Sequence, residues 1–279
     1  MSTVTITAAD INKLRQMTGA GMMDCRKALT ENNGDIEAAI DWLRKKGQKV
    51  AALRGDREAK EGVVLAKTTA DNKTGIALCL SCETDFVSKN ADFIAFAQSL
   101  IDAAIAHNVK SADELNAVDI NGSKVADLVN DKLASIGEKI GISKFERVDA
   151  AFVSSYIHGA NRMGVLVGMN KEESEVGKDV AMQIAAMNPV AIDQSSVPVE
   201  VVEREKAIIV DLIKNDPKMA GKPDEMISKI ADGKLNAFFK ESTLLAQAFV
   251  KDAGMTVGDY VKSKGSDLKV EAFKRVALG

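Results

Sequence analysis

Two histidines, three cysteines, four prolines and one tryptophan in 279 residues leave little of what metal centres, disulfide scaffolds and many active sites are made from. Cys25, Cys79 and Cys82 are odd in number and form no disulfide framework. Cys79-Leu80-Ser81-Cys82 is formally a C-x-x-C. Cys79 closes an apolar strand pattern, however, and strand residues three apart face opposite sides. No second Cys/His pair completes a zinc site, so buried, reduced thiols are expected. The chain also lacks G-x-x-x-x-G-K-[ST], G-x-G-x-x-G and a serine nucleophile elbow. Thr18-Gly19-Ala20-Gly21 lies between two helical patterns without the Lys-Ser/Thr of a phosphate loop, and reads as a flexible corner. His107 ends a helical pattern, where its ring suits the helix dipole. His158, before Gly159, sits at a turn that presents it outward. The expectation is a protein that is not an enzyme, with no metal and no cofactor.

Charge and hydropathy exclude further classes. A net charge of −3 and a pI near 5.6 argue against a general nucleic-acid binder. No apolar run approaches the roughly 20 residues of a membrane span. MSTVTITAADINKLRQ has no basic stretch followed by an apolar one, as a signal peptide would. The expected location is cytoplasmic.

What is present is a globular composition, 46% hydrophobic and 28% charged. Residues 1–50 read as three short helices. Ile11, Leu14 and Met17 share one stripe, a second helix carries Met22, Met23, Ala28 and Leu29, and Asp35 caps a third with Ile36, Ala39, Ile40 and Leu43. Their small core is expected to be partly Met and Ala, with Trp42 half-buried. A charge-dense linker follows, to residue 62, with Gly47 and Gly55. From 63 to 150 the order is strand, D-N-K-T-G turn, strand, helix capped by Asn90, and a polar helical insertion whose stripe runs from Lys124 to Ile140, interrupted by Gly137. From 151 the plan recurs: Phe152–His158, a turn, Met163–Met169, and a helix stopped before Pro189. Residues 200–239 interrupt this second unit with two amphipathic helices around a Pro/Gly turn, Asn215-Asp216-Pro217 and Gly221-Lys222-Pro223, a hairpin that reads as an antiparallel coiled-coil arm. The unit resumes at 240–279 with strand-like Thr256-Val257 and Phe273–Val276. The fold class is α+β, a duplicated core with antiparallel sheets.

Several apolar or aromatic residues fall at exposed-looking connections: Met22-Met23, Phe86 in CETDFV, Ile136-Gly137 and His158-Gly159. Taken singly, each is more often core than contact. As a set on separate modules, they fit an elongated protein that grips a partner at several points, since methionine adapts to partner surfaces and aromatics anchor interfaces.

Three longer motifs converge on one family. Thr18-Gly-Ala-Gly-Met-Met-Asp-Cys-Arg-Lys-Ala-Leu29 with Asn33-Gly34-Asp35 and Trp42-Leu43-Arg44, then Thr84-Asp85-Phe86-Val87, then Ser155–Gly159 with Arg162–Val167, resemble the bacterial elongation factor Ts family in its order and over essentially the whole chain. The resemblance implies a ubiquitin-associated-like N-terminal domain (1–50), a linker (51–62), a core of two related subdomains (63–150; 151–199 with 240–279) and the coiled-coil insertion (200–239). It implies nucleotide exchange on elongation factor Tu, without a chemical reaction of its own, and no direct nucleic-acid or membrane partner. By position, Thr84, Asp85, Phe86 and Val87 match the loop that dislocates the partner's magnesium. Met22, Met23, Arg26, Ile136, Gly137, His158, Gly159, Phe249 and Val250 match partner contacts. Gln247-Ala248 departs from the family's frequent Gln-Pro before that Phe-Val. A homodimer through the core or the arm is compatible with the same organisation. Two other readings compete. A ubiquitin-associated-type adaptor leaves Thr84–Val87 unexplained, and a thiol or small-molecule enzyme would have to use Cys79, Cys82 or His158.

Overall fold

Apolar residues fill both sides of Thr74–Cys82: Ile76, Leu78, Leu80 and Cys82 belong to one core, Ala77 and Cys79 to another. In the computed structural model, which describes residues 5–53, 57–216 and 223–279, this segment is β2. It lies between β1 (Glu61–Thr68) and β5 (Gly141–Asp149), antiparallel to both. The second unit repeats the arrangement: β7 (Met163–Met169) runs between β6 (Phe152–His158) and β10 (Val270–Ala277). In each unit a hairpin takes its third strand from far along the chain.

The two sheets pack face to face. Val64, Ala77, Cys79 and Val148 of the first meet Val153, Leu166 and Val276 of the second. A methyl group on Gly75 would stand 2.7 Å from Val153 Cγ1 and 2.9 Å from Leu166 Cδ2, so glycine sets the spacing there. The outer face of the first sheet is covered by α5 (Ala91–Ala106) and α7 (Val125–Ile136). The outer face of the second is covered by α8 (Ser174–Met187) and α11 (Val257–Lys264). Asn90 caps α5 through the amides of Asp92 and Phe93. Phe93, Ala97, Leu100, Ile101 and Ala104 then form its buried stripe. Between α5 and α7 lie α6 (Ala112–Ala117) and a small strand pair, β3 (Asp119–Ile120) with β4 (Ser123–Lys124).

The Gly137 interruption of the α7 stripe is a helix end: Gly137 takes a left-handed φ of 80° and stops the helix at Ile136, while Ile140 packs into the first core. Strand β5 escapes the period-2 pattern because its pairing with β2 shifts between Cys79 and Leu80, a bulge that breaks the alternation. Val257 is not strand. The ladder of β8 (Ala248–Phe249) and β9 (Asp252–Thr256) ends at Thr256, which caps α11 in a box with Asp259.

At the N-terminus stand α1 (Ala8–Thr18), α2 (Met22–Glu31) and α3 (Ile36–Leu53). Their core is Leu14, Ala20, Cys25, Ala28, Leu29, Ala39 and Leu43. Methionine is absent from it: Met17, Met22 and Met23 are exposed, and Cys25 fills an interior position. Helix α3 continues past residue 50, so the expected linker begins inside a helix; Gly55 lies outside the described residues. At Gly47, α3 crosses α7 so closely that an added methyl would lie 2.7 Å from Ala134 Cβ. Helices α9 (Val199–Lys214) and α10 (Asp224–Ser242) pair through Ile209, Ile213, Ile227 and Ala231. At their base, Val197 and Phe239 pack on Ala191, which bridges to Thr243. Pro217, Gly221 and Lys222 of the expected turn lie outside the described residues. Among the described residues, no helix is long and apolar enough to cross a membrane.

Candidate partner-binding surface

Strand β2 ends at Cys82, and one turn of helix, α4 (Asp85–Ser88), follows before Asn90 opens α5. Val87 folds inward against the first core, which leaves Phe86 to project, 84% exposed. A phenyl ring left in water is what burial normally prevents, so its position is imposed by its surroundings. Asp85 beside it pairs with Lys89 at 2.6 Å, one helical turn on, and the ammonium holds its carboxyl below the usual carboxylate range.

The turn before α4 is held from outside. Glu138, just past Gly137, accepts the Glu83 and Thr84 amides on Oε2 at 3.1 and 3.0 Å, and the Thr84 hydroxyl on Oε1 at 2.7 Å. In return, the Glu83 carboxylate accepts the Lys139 amide at 2.6 Å and the Arg57 guanidinium at 3.0 Å. The Asp85-Phe86 turn and the Ile136-Gly137 corner, about fifty residues apart in sequence, are therefore one structural unit. Phe86 and Ile136 line the same cleft, whose other wall includes Arg15 and Gln16 of α1, with Lys132 of α7 between.

Met22, Met23, Arg26, His158, Gly159, Phe249 and Val250 do not line this cleft, whereas Gly19 does. Met22, Met23 and Arg26 are exposed on α2. Gly19 is the left-handed cap that ends α1, so Thr18–Gly21 is a helix–helix corner. His158 ends β6 and Gly159 follows in an exposed turn, where the Tyr156 hydroxyl meets His158 Nδ1 at 2.9 Å. Phe249, expected at the surface, is instead a core residue, 4% exposed and stacked on Tyr260 at 4.2 Å. Its neighbour Val250 is exposed, and its amide donates to buried Gln183 Oε1 at 2.8 Å. Sequence reasoning missed Glu138 and Gln183. The only available signal for Glu138 was its place beside Ile136-Gly137.

The Cys82 thiol, close to the turn that carries Phe86, is pushed up to about 12 by burial and by the Glu138 carboxylate. It is a protonated core group at neutral pH. The surface presents an exposed phenyl ring on a turn held by Glu138, with apolar, cationic and anionic side chains, Ile136, Arg15, Lys132 and Asp92, lining the cleft it shares.

The family described as Elongation factor TS matches residues 83–279. An elongation factor Ts from Christiangramia forsetii is 48% identical over 277 residues, covering 98% of this chain and 99% of that protein. One from Flavobacterium psychrophilum is 47% identical over 278 residues, covering 99% of each. One from Porphyromonas gingivalis is 41% identical over 277 residues, covering 98% of each.

Proposed function

This chain belongs to the elongation factor Ts family of translation elongation factors, and from that premise we propose that it catalyses nucleotide exchange on elongation factor Tu by a mechanical, non-covalent route. GDP is held on such a GTPase largely through magnesium and phosphate-loop contacts. A wedge that displaces those groups by a small distance raises the GDP off-rate. The observation that carries the reading is Phe86, 84% exposed on a turn that is fixed before any partner arrives. Preorganisation matters because a loop that had to order on binding would lose affinity to its own entropy.

In this reading α1–α3 form the ubiquitin-associated-like module, which meets the nucleotide-binding domain through Met22, Met23 and Arg26. Asp85 and Phe86 enter near the magnesium site, and His158 approaches from the phosphate-loop side. Val250 supplies a further contact, with Phe249 supporting it from the core. Helices α9 and α10 are the coiled-coil insertion. The factor binds the nucleotide-free state better than the GDP state, so factor and nucleotide weaken each other reciprocally, and incoming GTP expels the factor. The chain itself makes and breaks no bond.

The direct test is release of labelled GDP from elongation factor Tu with and without this protein at micromolar concentration. Acceleration is expected; none would overturn the reading. Phe86→Ala should slow release roughly tenfold or more, as truncating an interface anchor does. Because the ring packs against little, the melt should move by no more than about 0.5 kcal/mol. A loss of several kcal/mol would instead make Phe86 a core residue.

A further inference from the structure

Thr84 is the residue at which a cap for α4 is expected, with an extended backbone at φ −122° and ψ 154°, yet its side chain makes no capping hydrogen bond. Its hydroxyl points the other way, to Glu138 Oε1 at 2.7 Å. A four-residue helix without a side-chain cap has little stability of its own. Besides Val87 packed on the first core and the Asp85–Lys89 pair, its direction depends on what grips the residues just before it. That grip is one carboxylate with three donors, the two backbone amides of Glu83 and Thr84 and the Thr84 hydroxyl. Glu138 in turn is aimed by the left-handed Gly137 that ends α7. Hydrogen bonds to a carboxylate are shorter and roughly twice as strong as neutral ones. Three on one group fix both position and orientation.

We propose that Glu138 is a positioning residue for nucleotide exchange: its carboxylate holds the Glu83–Thr84 turn so that Phe86 is presented as a rigid wedge, and it acts only through that ring. This rests on the exchange reading above. Without the carboxylate, the turn samples several directions in the free protein, and the wedge must be ordered during the encounter. The same clasp joins Phe86 to the end of α7, so the wedge and the Ile136 corner meet a partner as one body.

The test is a double-mutant cycle on GDP release, with Glu138→Ala, Phe86→Ala and the pair, each checked by thermal melt. Glu138→Ala is expected to slow release about tenfold in the wild-type background and less than about twofold when Phe86 is already Ala, a coupling that a merely structural role would not produce. Glu138→Gln keeps two acceptor lone pairs for the amides and should recover most of the rate. Thr84→Val, which removes one donor and little else, should slow release about threefold. Should Glu138→Ala fail to fold, the Gln and Val variants carry the test, and amide exchange at Glu83 and Thr84 in the wild-type protein must show protection. Additive effects of Glu138 and Phe86, or unprotected amides, overturn the proposal while leaving the exchange reading intact. Wild-type protein that does not accelerate release overturns the exchange reading instead.

Discussion

Cys82 and Phe86 are four positions apart, and their surroundings treat them in opposite ways. Cys82 is fully buried; Phe86, the larger apolar group, stands in water. Strand alternation places Cys82 on the inward face with Leu78 and Leu80, and separates it from Cys79 across the sheet. Burial raises all three thiols, Cys82 to about 12, with the Glu138 carboxylate adding to its shift. The sign of the pH dependence follows. An exposed thiol in the unfolded chain ionises from about pH 9, while the folded Cys82 remains protonated to about 12. Above pH 9 the unfolded state therefore binds fewer protons, and stability falls as pH rises through that window. At pH 8 the native protein should react with a thiol reagent far more slowly than in denaturant, where all three titrate. A fast native thiol would reopen the enzyme reading. That Phe86 is out of place could be read from its position between a strand pattern and a capped helix. Its support could not, because the three donors to Glu138 lie 54 and 55 positions away in sequence.

At the scale of elements, the strands and helices with an unbroken period were legible: β1 and β2, β6 and β7, α5 with its Asn90 cap, and α8 up to the left-handed Asn188. Strand β5 was not legible, because its bulge disrupts alternation, while Gly137, visible as a break in the α7 stripe, ends that helix at Ile136. The contact between the sheets has no sequence signature beyond its glycines. Gly75→Val would drive a branched side chain into Val153 and Leu166. It should destabilise the fold by about 1–3 kcal/mol, the cost of overpacking. Gly141→Ala, at a position with open space, should change stability by less than about 0.5 kcal/mol. Equal melts for the two variants would show that the sheets can part locally.

The whole molecule is a helix–sheet–sheet–helix core with two helical attachments held in different ways. The N-terminal helices dock α3 onto α7 at Gly47, and α7 ends at the corner that supports Phe86. Among the described residues, the base of the α9–α10 arm packs around Ala191, Val197 and Phe239, while Ile209, Ile213, Ile227 and Ala231 form a distal cluster linked to it through Leu235. Replacing residues 205–233 with a short Gly/Ser linker spans helices roughly 8–10 Å apart and leaves the basal cluster in place. The trimmed protein should keep one cooperative melt in denaturant; a broad or missing transition would mean that the distal arm stabilises the core. The sequence by itself determined the periodic elements, the repeated hairpin plan and the long motifs that mark the family, because each depends on neighbours within a few residues. Only the tertiary structure decided which apolar residues stay outside, that Phe249 turns inward, and that Glu138 grips the turn beneath Phe86. Those outcomes depend on which faces are covered by elements distant in the chain, and local pattern carries no record of that.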